Sequence, residues 1–529
     1  MQLNLSKTYG AYINGAFQSP ATETFPALNA ATGEHLANIS RCSAEDVAKA
    51  VDAASAAFLA WRQTSPEERS TLLRKLADRL ETDIERLTAI DTADVGRVFS
   101  EVTLDDRIAI EQYRYFAGAI LTFEGFGRPI PNGYLLGKRE PVGVVGQIIP
   151  WNVPAIMVAL KVAPAVAAGN TVVLKPDENA SLSTLEFAKI AGEIFPAGVI
   201  NIVPGFGHEA GAALTAHPKV GKLAFTGSAE VGRIVARAGA ERIVPVSLEL
   251  GGKSPNIVFP DVADLDAIVD NVIFGGTYCN GQSCLAGTRV FIHDDIYKPF
   301  TDKLAAAADR IKVGNPMDAD TRLSGVVSEK QGRRVQGYID LAQQEGAKLI
   351  AGGRRVEVKG CSHGWFFAPT IFEARNDMRI AQEEVFGPVL SVIRWNDFET
   401  MIAEANDIRH GLAAGVYTRD LANAMRTADR LEAGNVWINS YFNLASGSPF
   451  GGQGERHRQR ALPRDSQHVL PSQGSYDPER AAQTLVCCLS QGNADQEVGI
   501  ALGRPRCRIR QRHRVREVRP AHSMSANAQ

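Results

Sequence analysis

The sequence predicts an α/β fold built from two alternating strand–helix blocks, and three observations carry that expectation. From Val142 to Leu248 short apolar runs alternate with helical segments, the pattern of a parallel, doubly wound sheet. Residues 252–440 repeat the alternation, which reads as a second α/β domain. At 529 residues the chain is too long for one ordinary core, so two or three domains are expected. Composition agrees with a soluble globular enzyme, at 45% apolar and 22% charged residues. A formal net charge of −2 gives no general attraction to nucleic acid or to an anionic membrane. The seven cysteines form no CxxC pair of metal-binding type and read as the reduced thiols of a cytosolic protein. The N-terminus has no basic region followed by an apolar core, so no signal peptide is expected, and no apolar run is long enough to span a bilayer.

Taken in order, residues 1–40 read as short strands and turns. Ser43-Ala44-Glu45-Asp46 opens an Ala-rich helix through about Trp61. Ser65-Pro66-Glu67-Glu68 has the form of a capping box with Pro at the first helical position. Leu72, Leu73, Leu76, Leu80 and Ile84 then recur at helical spacing, a stripe that covers a sheet. Between Phe123 and Gly137 glycine, proline and aromatics break the helical pattern, which suggests a projecting hairpin.

In the first block the expected strands are Val142–Ile149, Thr171–Leu174, Val199–Val203, Lys222–Phe225 and Ile243–Leu248. The expected helices are Pro154–Ala168, stopped by Gly169-Asn170, then Leu182–Ile194, one ending near Ala216, and Val231–Ala238. Asn152, Lys175, Gly227 and Glu249 all fall just after strands, where doubly wound sheets bind ligands. In the second block Pro255–Phe259, Arg289–Ile292, Pro388–Ile393 and Asn435–Asn439 are strand candidates.

Three stretches carry chemistry. Gly281-Gln282-Ser283-Cys284-Leu285-Ala286-Gly287 sets a cysteine among small residues, Glu249-Leu250-Gly251-Gly252-Lys253-Ser254-Pro255 a carboxylate before two glycines, and Ile149-Pro150-Trp151-Asn152 an amide after an apolar run. A lone cysteine is ordinarily a small buried hydrophobe, and Cys279 reads that way. With its companions, Cys284 suits covalent attack on a carbonyl carbon. The amide would stabilise the oxyanion and the carboxylate would activate water. Asn152 also suits a helix N-cap, and Glu249 a turn. No histidine lies near either motif, which argues against a Cys–His hydrolase.

These segments, in this order, resemble the aldehyde dehydrogenase superfamily, from the N-terminus to about Gly452. The resemblance implies a Rossmann-type cofactor domain over residues 1–122 and 142–251, a catalytic domain over 252–447, and a small oligomerisation hairpin over 123–141. It implies oxidation of an aldehyde to a carboxylic acid with NAD. The route is a Cys284 thiohemiacetal and a thioester that Glu249 helps water to hydrolyse, since relatives that transfer the acyl group to CoA generally lack that base. Asn152 and the Cys284 backbone N–H would hold the oxyanion, and Lys161 matches a lysine of the proton relay. Lys175 and Glu178 match residues on the adenosine ribose, where a carboxylate accepts from the diol and repels a 2′-phosphate, favouring NAD over NADP. Ile148, Pro150, Trp151 and Leu250 flank the cofactor. Gly227 and Ser228 would meet the pyrophosphate at a helix start, Glu384 the nicotinamide ribose and Phe386 its ring. No metal is implied. The Gly205-x-Gly207 pair reads equally as a plain turn. The family forms homodimers or homotetramers of cytoplasmic enzymes. Leu160 stands where succinic semialdehyde relatives commonly carry arginine. With Met157, Tyr278, Leu285 and Phe442 it suggests an apolar entrance for a neutral aliphatic or aromatic aldehyde. A non-catalytic remnant and a cofactor-independent Cys esterase or acyl-transfer enzyme are the alternatives.

Past Gly452 the composition changes. Residues 453–529 are rich in arginine, contain no lysine and include Cys487-Cys488, so they read as an atypical, disordered tail. Back-translated with suitable codons and shifted by one base, Gln453–Tyr476 can read as a family-like ending. The hypothesis is a frameshift near codon 453, which an undisturbed frame in the resequenced DNA would sink. A shifted frame would remove the family's C-terminal dimerisation strand.

Overall fold

The structure, a computed structural model, describes residues 3–448, 450 and 451. The expectations for the tail and its reading frame lie outside the described residues. Two seven-stranded sheets organise the described chain.

The first sheet runs in the order Val246–Glu249, Val220–Thr226, Val144–Ile148, Thr171–Lys175, Ile200–Ile202, Tyr12–Ile13 and Ala16–Phe17. Its first five strands are parallel, and the two short N-terminal strands close one edge antiparallel. Val144–Ile148 is the point where strand order reverses. The chain leaves it on one side through Thr171–Lys175 and returns on the other as Val220–Thr226. Register brings the strand ends level, with Ile148 opposite both Lys175 and Phe225, and Thr226 opposite Glu249. That reversal opens a crevice beyond the carboxyl ends. Lys175 and Glu249 are the last residues of their strands rather than the first residues after them.

Local chemistry explains most element boundaries. Ser43 closes a full capping box with Asp46 on the helix Ala44–Trp61. Ser65 accepts from the Glu68 N–H at 3.1 Å on the helix Pro66–Thr82, and the Glu68 side chain does not complete a reciprocal box. Leu73, Leu76 and Leu80 are buried as the stripe predicts. Ile84 does not continue it: the chain turns at Asp83 and Ile84 begins a separate helix, Ile84–Val95. The period survived because Ile84 and Leu72 still pack on the same core cluster. The last strand of the first block starts at Val246, not Ile243. Ile243 is 92% exposed in a left-handed conformation that ends the helix Ala229–Arg242.

The second sheet runs Lys348–Ala351, Thr370–Glu373, Val389–Trp395, Arg289–His293, Pro255–Val258, Ala413–Tyr417 and Asn435–Ile438. All neighbours are parallel except Lys348–Ala351. Its central strands, Arg289–His293, Pro255–Val258 and Ala413–Tyr417, are buried almost throughout and mostly apolar, as parallel strands under helices are. Phe126–Ile130 and Gly133–Gly137 pair as an antiparallel hairpin, with Phe126, Tyr134 and Leu136 exposed. Among the described residues no helix is long and apolar enough to cross a membrane.

Candidate active site

Cys284 lies in the loop between the helix Leu265–Thr277 and the strand Arg289–His293. The loop is an unusual backbone: Cys279, Asn280 and Gly281 have φ of 59°, 56° and 71°. Left-handed geometry costs a non-glycine residue about 1–2 kcal/mol, so the surroundings must hold it. Asn280 donates from Nδ2 to the carbonyls of Gly96 and Gly325, at 3.1 and 2.8 Å, and its Oδ1 accepts from the Ser324 N–H at 2.8 Å. Gln282, fully buried, accepts the Val327 N–H at 3.0 Å. Gly281 has no room for a side chain, since a Cβ there would sit 2.2 Å from the Gly387 carbonyl carbon.

Asn152 is 4% exposed and precedes the helix Pro154–Ala167, whose N-cap is Val153, so capping is not its role. Its Nδ2 donates to the Gln282 carbonyl at 2.8 Å, which ties the amide to the cysteine loop. A carboxamide nitrogen carries two hydrogens, and one remains for a second acceptor. Glu249 ends its strand, and the Gly227 N–H donates to its carbonyl at 3.0 Å. The two glycines that follow let backbones meet, for a Cβ on Gly252 would lie 2.1 Å from the Cys284 carbonyl oxygen. Glu384 reaches the same turn, accepting the Gly252 N–H at 3.1 Å.

Charge in this crevice is concentrated and poorly hydrated. Burial pushes the Cys284 thiol up to about 12, with the Glu384 and Glu249 carboxylates adding to the rise. Burial also lifts Glu384 to about 7. Lys161 is pulled down to about 8 by burial, opposed by the charge of Glu249. Gln147 pins the Lys161 turn to the sheet, donating to its carbonyl at 2.7 Å. The thiol therefore needs a neighbour to take its proton before it can attack.

The residues expected to hold a dinucleotide gather at the strand ends. Lys175, 2% exposed, donates from Nζ to the Pro176 carbonyl at 2.6 Å and to Glu178 Oε2 at 3.4 Å. Ser228 caps the helix Ala229–Arg242, accepting from the Val231 N–H at 3.3 Å. The 14-residue helix thus starts directly after Gly227 and the end of the strand Val220–Thr226, a fit for phosphate. Leu250 and Ile148 join one apolar cluster, and Leu250 leaves no room for a Cβ on Gly232. Ile149, in the turn that leads through Pro150, donates its N–H to the Lys175 carbonyl at 3.2 Å. Trp151 and Phe386 meet edge to face at 5.3 Å, with Phe386 itself at φ 61°. Beside the thiol, Cys284, Phe442 and Phe450 pack on Leu285, Leu412, Trp437 and Tyr441. Tyr278 joins Phe442 at 5.0 Å, whereas Met157 and Leu160 pack with the core of the first block.

Sequence reasoning missed the residues that hold the loop. Asn280 and Gln282 stand between Cys279 and Cys284, which is a weak local signal, whereas nothing beside Glu101 names its partner. The spacing Arg97, Glu101, Asp105 also puts three charges on one helical face. Lys253 and His410 also lie beside the glycine turn. Burial lowers Lys253 to about 7 and His410 to about 4, and His410 Nδ1 lies 2.9 Å from the Gly251 carbonyl.

Comparison with known proteins identifies the family. The aldehyde dehydrogenase family profile matches residues 17–465. An acetaldehyde dehydrogenase of Pseudomonas aeruginosa is 41% identical over 452 residues, covering 84% of this chain and 89% of its own. The NAD+ complex of a Bacillus cereus aldehyde dehydrogenase is 42% identical with a TM-score of 0.82, over 84% of this chain and 91% of that one. The indole-3-acetaldehyde dehydrogenase AldA of P. syringae is 37% identical with a TM-score of 0.83, over 85% and 92%. On the extent and identity of these matches, the chain belongs to the aldehyde dehydrogenase family.

Proposed function

We propose that this chain oxidises a neutral, largely apolar aldehyde to its carboxylic acid with NAD. The observation that carries the reading is the convergence of Cys284, Glu249 and Asn152 on one crevice at the strand ends. Glu249 takes the thiol proton, and Cys284 attacks the carbonyl carbon to give a thiohemiacetal. The free Asn152 N–H and the Cys284 backbone N–H stabilise the developing oxyanion. Bound NAD supplies the hydride acceptor for this chemistry. Glu249 then draws a proton from water as it attacks the thioester, and Cys284 leaves as the thiol with the acid released. Lys161 serves as a way-station that passes protons outward, its ammonium weakened by burial.

Lys175, Glu178, Ser228, Gly227 and Glu384 would hold the dinucleotide, and Trp151, Phe386, Ile148, Pro150 and Leu250 would shape its slot. The carboxylate of Glu178 favours a free ribose diol, hence NAD over NADP. The aromatic and aliphatic wall beside Cys284 supports an apolar substrate. Residues 1–122 and 142–251 would act as the cofactor domain and 252–447 as the catalytic domain. The exposed hairpin of 123–141 would form a subunit contact of a homo-oligomer, and the cytoplasm is the proposed compartment. A remnant or a cofactor-independent esterase is not favoured, given the family match and the assembled site. The test is NADH formation by the full chain against a panel of aldehydes, with Cys284→Ser as control. Turnover that vanishes in the variant supports the reading; turnover that survives it overturns the role of Cys284.

A further inference from the structure

The loop that carries Cys284 is held by a half-buried carboxylate on the helix Phe99–Ala119. Glu101, in the first turn, accepts the Cys279 N–H on Oε2 at 2.9 Å. The Cys279 thiol donates in turn to the Asn152 carbonyl at 3.3 Å, and Asn152 Nδ2 donates to the Gln282 carbonyl at 2.8 Å. Gln282 closes the ring by donating its N–H to the Cys279 carbonyl at 2.9 Å. Arg97, 1% exposed, anchors the arrangement: Nη1 pairs with Asp105 Oδ2 at 2.6 Å and Nη2 lies 3.9 Å from Glu101. The Tyr278 hydroxyl donates to the other Asp105 oxygen, and the Arg97 guanidinium stands 5.5 Å over the Tyr278 ring.

We propose that Glu101 and Cys279 form a positioning relay that fixes the Asn152 amide and the Cys284 loop relative to each other. The inference rests on the reading of Asn152 as an oxyanion donor. Cys279 is then more than packing: its backbone is the point where the helix grips the loop, and its thiol is where the loop grips Asn152. Neither residue touches substrate. Both act by setting a distance, and a misplacement of about 1 Å in such a site can cost about a hundredfold in rate.

The test uses the full chain and compares Glu101→Ala, Glu101→Gln, Cys279→Ala, Cys279→Ser and Asn152→Ala. The aldehyde is the one turned over fastest in the panel. Glu101→Ala should lower kcat between about tenfold and a hundredfold, with KM for NAD within about twofold of the parent. Glu101→Gln keeps an acceptor for the Cys279 N–H and should restore most of kcat. Cys279→Ser keeps a donor for the Asn152 carbonyl and should outperform Cys279→Ala. If Glu101→Ala does not fold, the Glu101→Gln and Cys279 pairs carry the same comparison. Asn152→Ala separates two failures. Should it slow turnover while the relay variants keep the parent kcat and lose only melting temperature, the relay is overturned and the oxyanion reading stands. Should Asn152→Ala itself leave kcat unchanged, the oxyanion reading falls and the relay falls with it.

Discussion

The two walls of the crevice are built in opposite ways. The wall proposed to hold the dinucleotide is made of strand ends: Ile148, Lys175, Thr226 and Glu249 are placed by sheet register, and each is held by backbone pairing with its neighbour. The thiol wall is an irregular loop with successive left-handed residues, held by the Glu101 side chain from a distant helix and by its own Asn280 and Gln282 side chains, which reach backbone groups far along the chain. A register-built wall tolerates side-chain changes because the backbone ladder remains. A loop-built wall depends on individual polar contacts, and each is a point of failure.

Four outcomes would break or sharpen that contrast. The largest effect is expected at Glu249, whose carboxylate is proposed to serve the thiol although its backbone sits in the register-built wall. Glu249→Gln should lower kcat by about 10²- to 10⁴-fold and leave an acylated Cys284 visible as an added mass on the intact protein. A slow variant with no adduct would remove Glu249 from deacylation. Next is the thiol itself. A thiol pushed up to about 12 is protonated at neutral pH, and below that value its thiolate fraction grows about tenfold with each unit by which the pH is raised. Iodoacetamide should therefore inactivate the cofactor-free enzyme about ten times faster per pH unit from 7 to 10. A plateau near pH 8 would mean a far more acidic thiol than the crevice implies.

A smaller change is expected on the other wall. Glu178→Gln removes the charge that disfavours a 2′-phosphate, so KM for NAD should rise several-fold and the NAD to NADP ratio of kcat/KM should fall by about tenfold, at constant kcat. An unchanged ratio would remove Glu178 from cofactor choice. The smallest effect lies outside both walls. Ser65→Ala deletes one cap of the helix Pro66–Thr82 and should cost about 1 kcal/mol, read from the denaturation midpoint, with kcat untouched. A change in kcat there would show that helix packing reaches the site.

The same contrast decides what the sequence could reveal. Glu249, Asn152 and Lys175 are legible because each sits at the end of a strand or in the turn after it, and Cys284 because its own string, Gly281-Gln282-Ser283-Cys284, marks it. The alternation of strands and helices is legible for the same reason. Glu101 is not, because its partner Cys279 lies 178 residues away and nothing in either neighbourhood names the other. Asn280 resembles an ordinary loop asparagine until Gly96 and Ser324 are brought to it. The misread boundaries are local competitions. Ile84 kept the helical period across a break at Asp83, and Ile243 is β-branched yet serves as a left-handed helix stop. Met157 and the partly buried Leu160 pack with the core of the first block.

The close approach of Gly252 to the Cys284 carbonyl has a consequence for how this enzyme can change over generations. No substitution at Gly252 or Gly281 fits without moving the main chain of the reaction centre, so the seam between the walls offers selection no small steps. Phe442 and Leu285 offer many, since they contribute side chains rather than backbone to the space beside the thiol. New substrate preferences in this lineage should accumulate on that aromatic rim while the seam stays invariant, and a library built for altered specificity should place its diversity there.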